Sequence, residues 1–185
     1  MINSIDFGII DFIQNNFKCE FLDYIMAFFS YIGGGGAVWI VSSAIMLFFK
    51  KTRAMGVMSL CAMAIGYILG EVLLKNIICR PRPFIQNPDI VLNISPPSGY
   101  SFPSGHSSSS FAAAVIMLLR DKRFGIPALI LAFLIAFSRL YNYVHFPSDV
   151  VCGTILGIIC AVVVVVIFKK TKLDNRLSGA PKTER

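Results

Sequence analysis

Three short stretches of the sequence hold residues whose types and spacing suit the capture and transfer of an anionic group. In the first, Lys75, Arg80 and Arg82 fall within eight residues, and Pro81 and Pro83 keep the chain extended, so the guanidinium groups can turn back over the preceding helix end. Three cations without matching acids call for an external anion. Glu71, one helical turn before Lys75, is placed to hold the ammonium in an ion pair. In the second, Pro103-Ser104-Gly105-His106 opens an apolar helix. A hydroxyl there, Ser104 first, is a natural N-cap, Gly105 admits a close ligand, and the free N–H groups of a helix start bind phosphate-like oxygens. In the third, Ser138 and Arg139 close one hydrophobic run, while His145 and Asp149, four residues apart, open the next. A carboxylate on one imidazole nitrogen fixes the tautomer and leaves the other nitrogen free to attack, with His as nucleophile.

The elements that must position these groups are set by composition. Of the 185 residues, 56% are hydrophobic and 15% charged, against roughly 25% charged in a soluble domain. That surface is too apolar for water, and the bilayer is the alternative solvent. Residues 54–74 and 150–168 are the clearest spans, 33–49 is a third entered through four glycines, and 104–119 with 124–138 read as a hairpin around Arg120-Asp121-Lys122-Arg123. The expected fold is therefore an all-α polytopic bundle of about five transmembrane helices. Residues 1–32 are expected to form interfacial amphipathic helices, with 19–32 as the alternative sixth span. Residues 1–168 form one domain in this reading, carrying the site segments 75–106 and 138–149, and 169–185 form a basic, unstructured cytoplasmic tail.

Charge orients the bundle. Five spans gather twelve of the 17 Lys and Arg residues on one face, which the positive-inside rule makes cytoplasmic, and place the amino terminus and all three clusters outside. The net charge of +7 does not suggest nucleic acid, because no basic stripe is interleaved with exposed aromatics. The five cysteines lack metal-ligand spacing and mostly sit in apolar runs, where they read as small hydrophobes. Snorkelling anchors would explain a lone Lys or Arg at a boundary, but not two histidines, one with an Asp a turn later.

Taken in order, Lys75 with six residues to Arg82-Pro83, then Pro103-Ser104-Gly105-His106, then Ser138-Arg139 with five residues to His145 and three to Asp149 resembles the signature of the type 2 phosphatidic acid phosphatase family. The resemblance implies a metal-independent phosphatase without cofactor that works through a phosphohistidine. It implies His145 as nucleophile, Asp149 as its orienting partner, and His106 as the acid and later the base. Lys75, Arg82, Ser104, Gly105 and Arg139 would hold the phosphoryl oxygens. Arg80 lies outside the strict signature and is expected to touch a second phosphate or to pack. Cations and backbone N–H groups supply the charge stabilisation that phosphoryl transfer needs.

The substrate expected is a lipid phosphate, undecaprenyl diphosphate first, with phosphatidylglycerophosphate and phosphatidic acid as alternatives, and no protein partner is implied. Residues 104–119 give about 24 Å of helix, short of the roughly 30 Å bilayer core, so the site should lie slightly sunk in the outer leaflet. It is expected to open sideways to lipid, with Pro96, Pro97, Tyr100 and Phe102 on its rim. A small transporter is the non-enzymatic reading, and ions gathered on one side without inverted repeats count against it.

Overall fold

The serine-rich helix that follows the second cluster is the centre of the bundle, because its small side chains allow neighbours to approach from three sides. Described residues are 2–178, in a computed structural model. In chain order, α1 (Ile2–Phe17) and α2 (Glu20–Ile32) lead through a tight turn at Gly34–Gly36 into α3 (Ala37–Leu47). Helix α4 (Arg53–Tyr67) continues through a π-helical stretch, Ile68–Leu74, into α5 (Lys75–Ile78). The short α6 (Pro83–Gln86) precedes a long loop to α7 (Gly105–Arg120), which is followed by α8 (Lys122–Tyr141), α9 (Pro147–Lys170) and α10 (Leu173–Ser178). Among the described residues there is no strand.

Helix α7 packs against α4, α8 and α9. Its Ala112, Ala113, Ala114 and Ile116 are fully buried. On the facing side of α9, Gly153 and Gly157 let the two backbones touch, since a Cβ at either would strike the carbonyl oxygen of Ser104 or Ser108. This is the small-residue spacing by which membrane helices gain van der Waals contact that lipid cannot offer. Asp121 ends α7 and caps α8 by accepting the N–H of Arg123 at 2.9 Å, so the expected charged hairpin turn forms as read.

Three stretches are long and apolar enough to cross a membrane: Arg53–Gln86, Lys122–Tyr141 and Pro147–Lys170. Helices α2 and α3 pass the same test together as a fourth, bent by 46°. The glycine run thus bends this pair, with Gly35 (φ 58°) and Gly36 (φ 72°) in the left-handed region, where a side chain would be strained. Residues 19–32 were expected at the interface, yet α2 packs on α8 and buries Met26 and Ser30. Helix α7, with 16 residues, stays below the length of a full span. Beyond α9 the chain is not unstructured up to Ser178. In α10, Asp174 pairs with Arg120 at 2.5 and 2.7 Å, and Leu173 and Leu177 pack on the core. The rest of the expected tail, 179–185, lies outside the described residues.

Candidate active site

The three clusters meet at one end of α7, α8 and α9. Proline at the first turn of α9 and an acid at its third position shape the His145–Asp149 pair, because Asp149 Oδ2 accepts the N–H of Phe146 at 2.9 Å and ties the helix start to the loop carrying His145. His145 Nδ1 lies 3.6 Å from Asp149 Oδ2, longer than a hydrogen bond, and 3.5 Å from Ser101 Oγ, which itself donates to Asp149 Oδ2. With the proton on Nδ1, Nε2 is the bare nitrogen, and Arg82 Nη1 donates to it at 3.2 Å. Burial pushes the pKa of the His145 imidazole down to about 3, against the opposing attraction of the Asp149 carboxylate. The lowered pKa favours the neutral ring.

Arg82 is held by the loops before α7 and α9. It is 3% exposed and donates to the carbonyls of Ser98, Gly99 and Val144, joining the loop before α7 to the segment before α9. Arg139 is equally buried; its Nη1 donates to Ser30 Oγ, while its Nε has no partner among the described residues. An unpaired buried donor on a guanidinium is costly, and an incoming anion would satisfy it. Lys75 Nζ bonds both oxygens of Glu71, at 2.8 and 2.7 Å, so the expected ion pair is present. The π-helical stretch presents Glu71 beside Gly105, where a Cβ would strike Glu71 Oε1.

Ser104 is the N-cap of α7 and accepts from Ser107 N and Ser107 Oγ at 3.4 and 3.0 Å. It is fully buried and does not line the cavity, whereas Gly105 and His106, the first residues of the helix, do. His106 Nε2 lies 3.1 Å from the carbonyl oxygen of Ser30, which orients the ring.

Lys75, Arg82, Gly105, His106, Arg139, His145 and Glu71 all line a cavity of about 840 Å³. Its remaining wall is largely apolar, drawn from the glycine turn with Ile40 of α3, from Leu60, Met63, Ala64 and Tyr67 of α4, and from Ile68 and Gly70 beyond it. The cations therefore sit at one end of a cleft that runs between helices. Of the expected rim residues, Pro97 lines the cavity; Pro96, Tyr100 and Phe102 do not. Arg80 is turned away from the cavity and donates to Asp149 Oδ1 at 2.6 Å and to Asp6 Oδ2 at 2.7 Å.

Three polar residues of the site escaped the sequence reading: Asp6, Ser30 and Ser101. Ser30 and Ser101 carry no signal of their own. Asp6 does, because it falls in register with the buried Ile10 and Ile13 on α1, and an acid on an apolar stripe needs a partner.

The architecture and site together define a membrane-embedded helical protein with a histidine pair and clustered cations at the end of an apolar cleft. The chain belongs to the PAP2 superfamily, whose model matches residues 56–173. It is 38% identical over 138 residues to an undecaprenyl-diphosphatase of Sulfolobus acidocaldarius, a match covering 74% of this chain and 66% of that protein. Among solved structures it resembles Aquifex aeolicus LpxE, with a TM-score of 0.75 and 28% identity over 88% of this chain and 95% of that one. It also resembles a transmembrane PAP2-type phosphatidylglycerolphosphate phosphatase of Bacillus subtilis, with a TM-score of 0.74 and 27% identity over 91% and 87% of the two chains. The chain spans about two thirds of the length of the curated relative from Sulfolobus.

Proposed function

We propose that the protein is an integral membrane lipid phosphatase that hydrolyses a polyprenyl diphosphate, undecaprenyl diphosphate first, through a phosphohistidine. The observation that carries this reading is the continuity of the cation-lined end of the cavity with its apolar cleft. A lipid can lay its tail between α3 and α4 while its phosphate meets Arg82, Arg139 and Lys75.

In the first half-reaction His145 Nε2 forms a bond to phosphorus. The bond from phosphorus to the bridging oxygen breaks, and His106 gives that oxygen a proton. Asp149, within 4 Å of Nδ1, stabilises the positive charge that the phosphorylated imidazole acquires. In the second, His106 takes a proton from water, the water oxygen attacks phosphorus, and the P–N bonding pair returns to Nε2. Arg82, Arg139, Lys75 and the N–H groups of Gly105 and His106 hold the equatorial oxygens, where charge is greatest. Ser104 contributes by fixing the helix start. Each step uses groups of the chain itself, which is why the proposed reaction runs without a metal.

Narrowing the cleft separates lipid from headgroup recognition. In Ala64→Trp the indole would occupy the apolar wall of the cleft, and KM for undecaprenyl diphosphate in mixed micelles is expected to rise about tenfold, equivalent to about 1.4 kcal/mol. Turnover of the water-soluble p-nitrophenyl phosphate should not change. Equal losses on both substrates would argue against lateral lipid entry. Running phosphatidylglycerophosphate and phosphatidic acid beside the diphosphate ranks the substrates.

The proposed orientation puts the site at the extracytoplasmic face of the cytoplasmic membrane, with the carboxyl terminus inside, on the strength of the basic residues after α3, around α7–α8 and after α9. In a cysteine-free background, Val91→Cys, at a position 80% exposed on the loop before α7, should react with an impermeant thiol reagent in intact cells. Lys51→Cys should react only after lysis. The opposite pattern would invert the topology.

A further inference from the structure

Asp149 faces both His145 and the charged Arg80, and the mechanism uses only the first. Oδ2 faces His145. Oδ1 takes a charge-assisted hydrogen bond from Arg80 Nη1 at 2.6 Å. A guanidinium so placed would draw the carboxylate's charge away from the imidazole that must become positive, unless its own charge were met elsewhere.

It is met by the first helix of the chain. Arg80 Nη2 donates to Asp6 Oδ2 at 2.7 Å, and Asp6 is 3% exposed. Ser148 closes the ring, donating through its N–H to Asp6 Oδ1 at 3.0 Å and through Oγ to Asp6 Oδ2 at 2.5 Å, while its Oγ accepts from Arg80 Nη1 at 2.7 Å. The guanidinium carbon also sits 4.0 Å from the centre of the Phe146 ring, against which Phe7 of α1 packs edge-on. The cation is thus fixed in place and in orientation.

We propose that Asp6 is a positioning residue of the catalytic histidine, acting through Arg80 and Asp149. Two carboxylates share one guanidinium, so Asp149 keeps a net negative charge toward His145 while remaining anchored through Oδ1. Asp6 lies outside the 56–173 segment that the family model matches, so in this protein the amino-terminal helix completes the orienting network from outside the family's matched region. The inference rests on His145 being the phosphorylated residue.

The test is kinetic. Asp6→Asn keeps the shape but removes the charge, and is expected to lower kcat about tenfold with KM unchanged, by slowing formation of a phosphoenzyme whose positive imidazole is less well stabilised. Asp6→Glu should recover part of the loss. In the Arg80→Gln background the Asp6→Asn effect should disappear, because the two residues act in series. The control for mere docking of α1 is Asp11→Asn, which weakens the 2.6 Å hydrogen bond from Tyr143 Oη to Asp11 on the same helix without touching Arg80, and should leave kcat unchanged.

Wild-type kcat in Asp6→Asn, multiplicative losses with Arg80→Gln, or an equal loss in Asp11→Asn would each overturn the proposal. If Asp6→Asn does not fold, Ser148→Ala supplies the second measurement. That change releases Asp6 Oδ2 and Arg80 Nη1 from their shared hydroxyl and should lower kcat severalfold, and wild-type kcat would again overturn the proposal. Full activity of His145→Ala would instead overturn the underlying reading, so the two failures can be told apart.

Discussion

Replacing His145 by Ala should reduce turnover of a lipid phosphate by about 10⁴- to 10⁶-fold, the range seen when a covalent nucleophile is removed while the electrostatic site remains. The basis is geometric. Nε2 is the nitrogen not engaged by Asp149 and Ser101, His145 lines the cavity, and Arg82 lies 3.2 Å from Nε2, where it could receive a phosphoryl oxygen. No second neutral imidazole is placed to substitute, because His106 is held by the Ser30 carbonyl. KM should change little, since Arg82, Arg139 and Lys75 remain. The check is phosphate release from undecaprenyl diphosphate in detergent with chelator present. Activity within tenfold of wild type would remove His145 from the chemistry.

The second large effect concerns His106. His106→Ala should slow turnover of a lipid phosphate by about 10³-fold, as expected for a general acid and base. Its signature differs from that of His145. With p-nitrophenyl phosphate, whose leaving group needs no proton, formation of the phosphoenzyme should be nearly normal while its hydrolysis remains slow. A burst of nitrophenolate close to one equivalent of enzyme should therefore precede a slow steady state. A variant equally slow with both substrates and without a burst would assign His106 to binding.

The polar residues that line the cavity were largely legible in the sequence, because a chain so poor in charge leaves few polar groups without a topological explanation. Lys75, Arg82, Arg139, His106 and His145 stood out by type and spacing, and they line one cavity. Ser104 was legible as a cap. Its burial behind the cavity wall follows from the close approach of α9, which the glycine pair at 153 and 157 permits but which spacing alone does not announce. Arg80 illustrates the limit more sharply. Three cations in eight residues looked like one anion site, yet one of them is neutralised by Asp6 and Asp149, from parts of the chain about 70 residues away on either side. Such pairing is decided by tertiary packing and leaves no local periodicity.

The membrane elements show the same division. The long spans were readable from length and apolar content, and so was the shortness of α7. The role of the first 32 residues was not. An amphipathic helix on a lipid surface and one on a protein surface have the same pattern, and only the acid on the buried stripe of α1 distinguishes them. The glycine run bends the chain by 46° between α2 and α3, which leaves Ser30 at the end of α2 in reach of both Arg139 and His106.

The central claim is a covalent bond between phosphorus and Nε2 of His145. It is tested most directly by mixing the His106→Ala protein with p-nitrophenyl phosphate, quenching in alkaline detergent to preserve the acid-labile P–N bond, and mapping the modification by mass spectrometry. One phosphoryl group per chain is expected, on the peptide containing His145. A phosphoryl group on another residue, or inorganic phosphate released with no phosphorylated peptide during a burst, would contradict it.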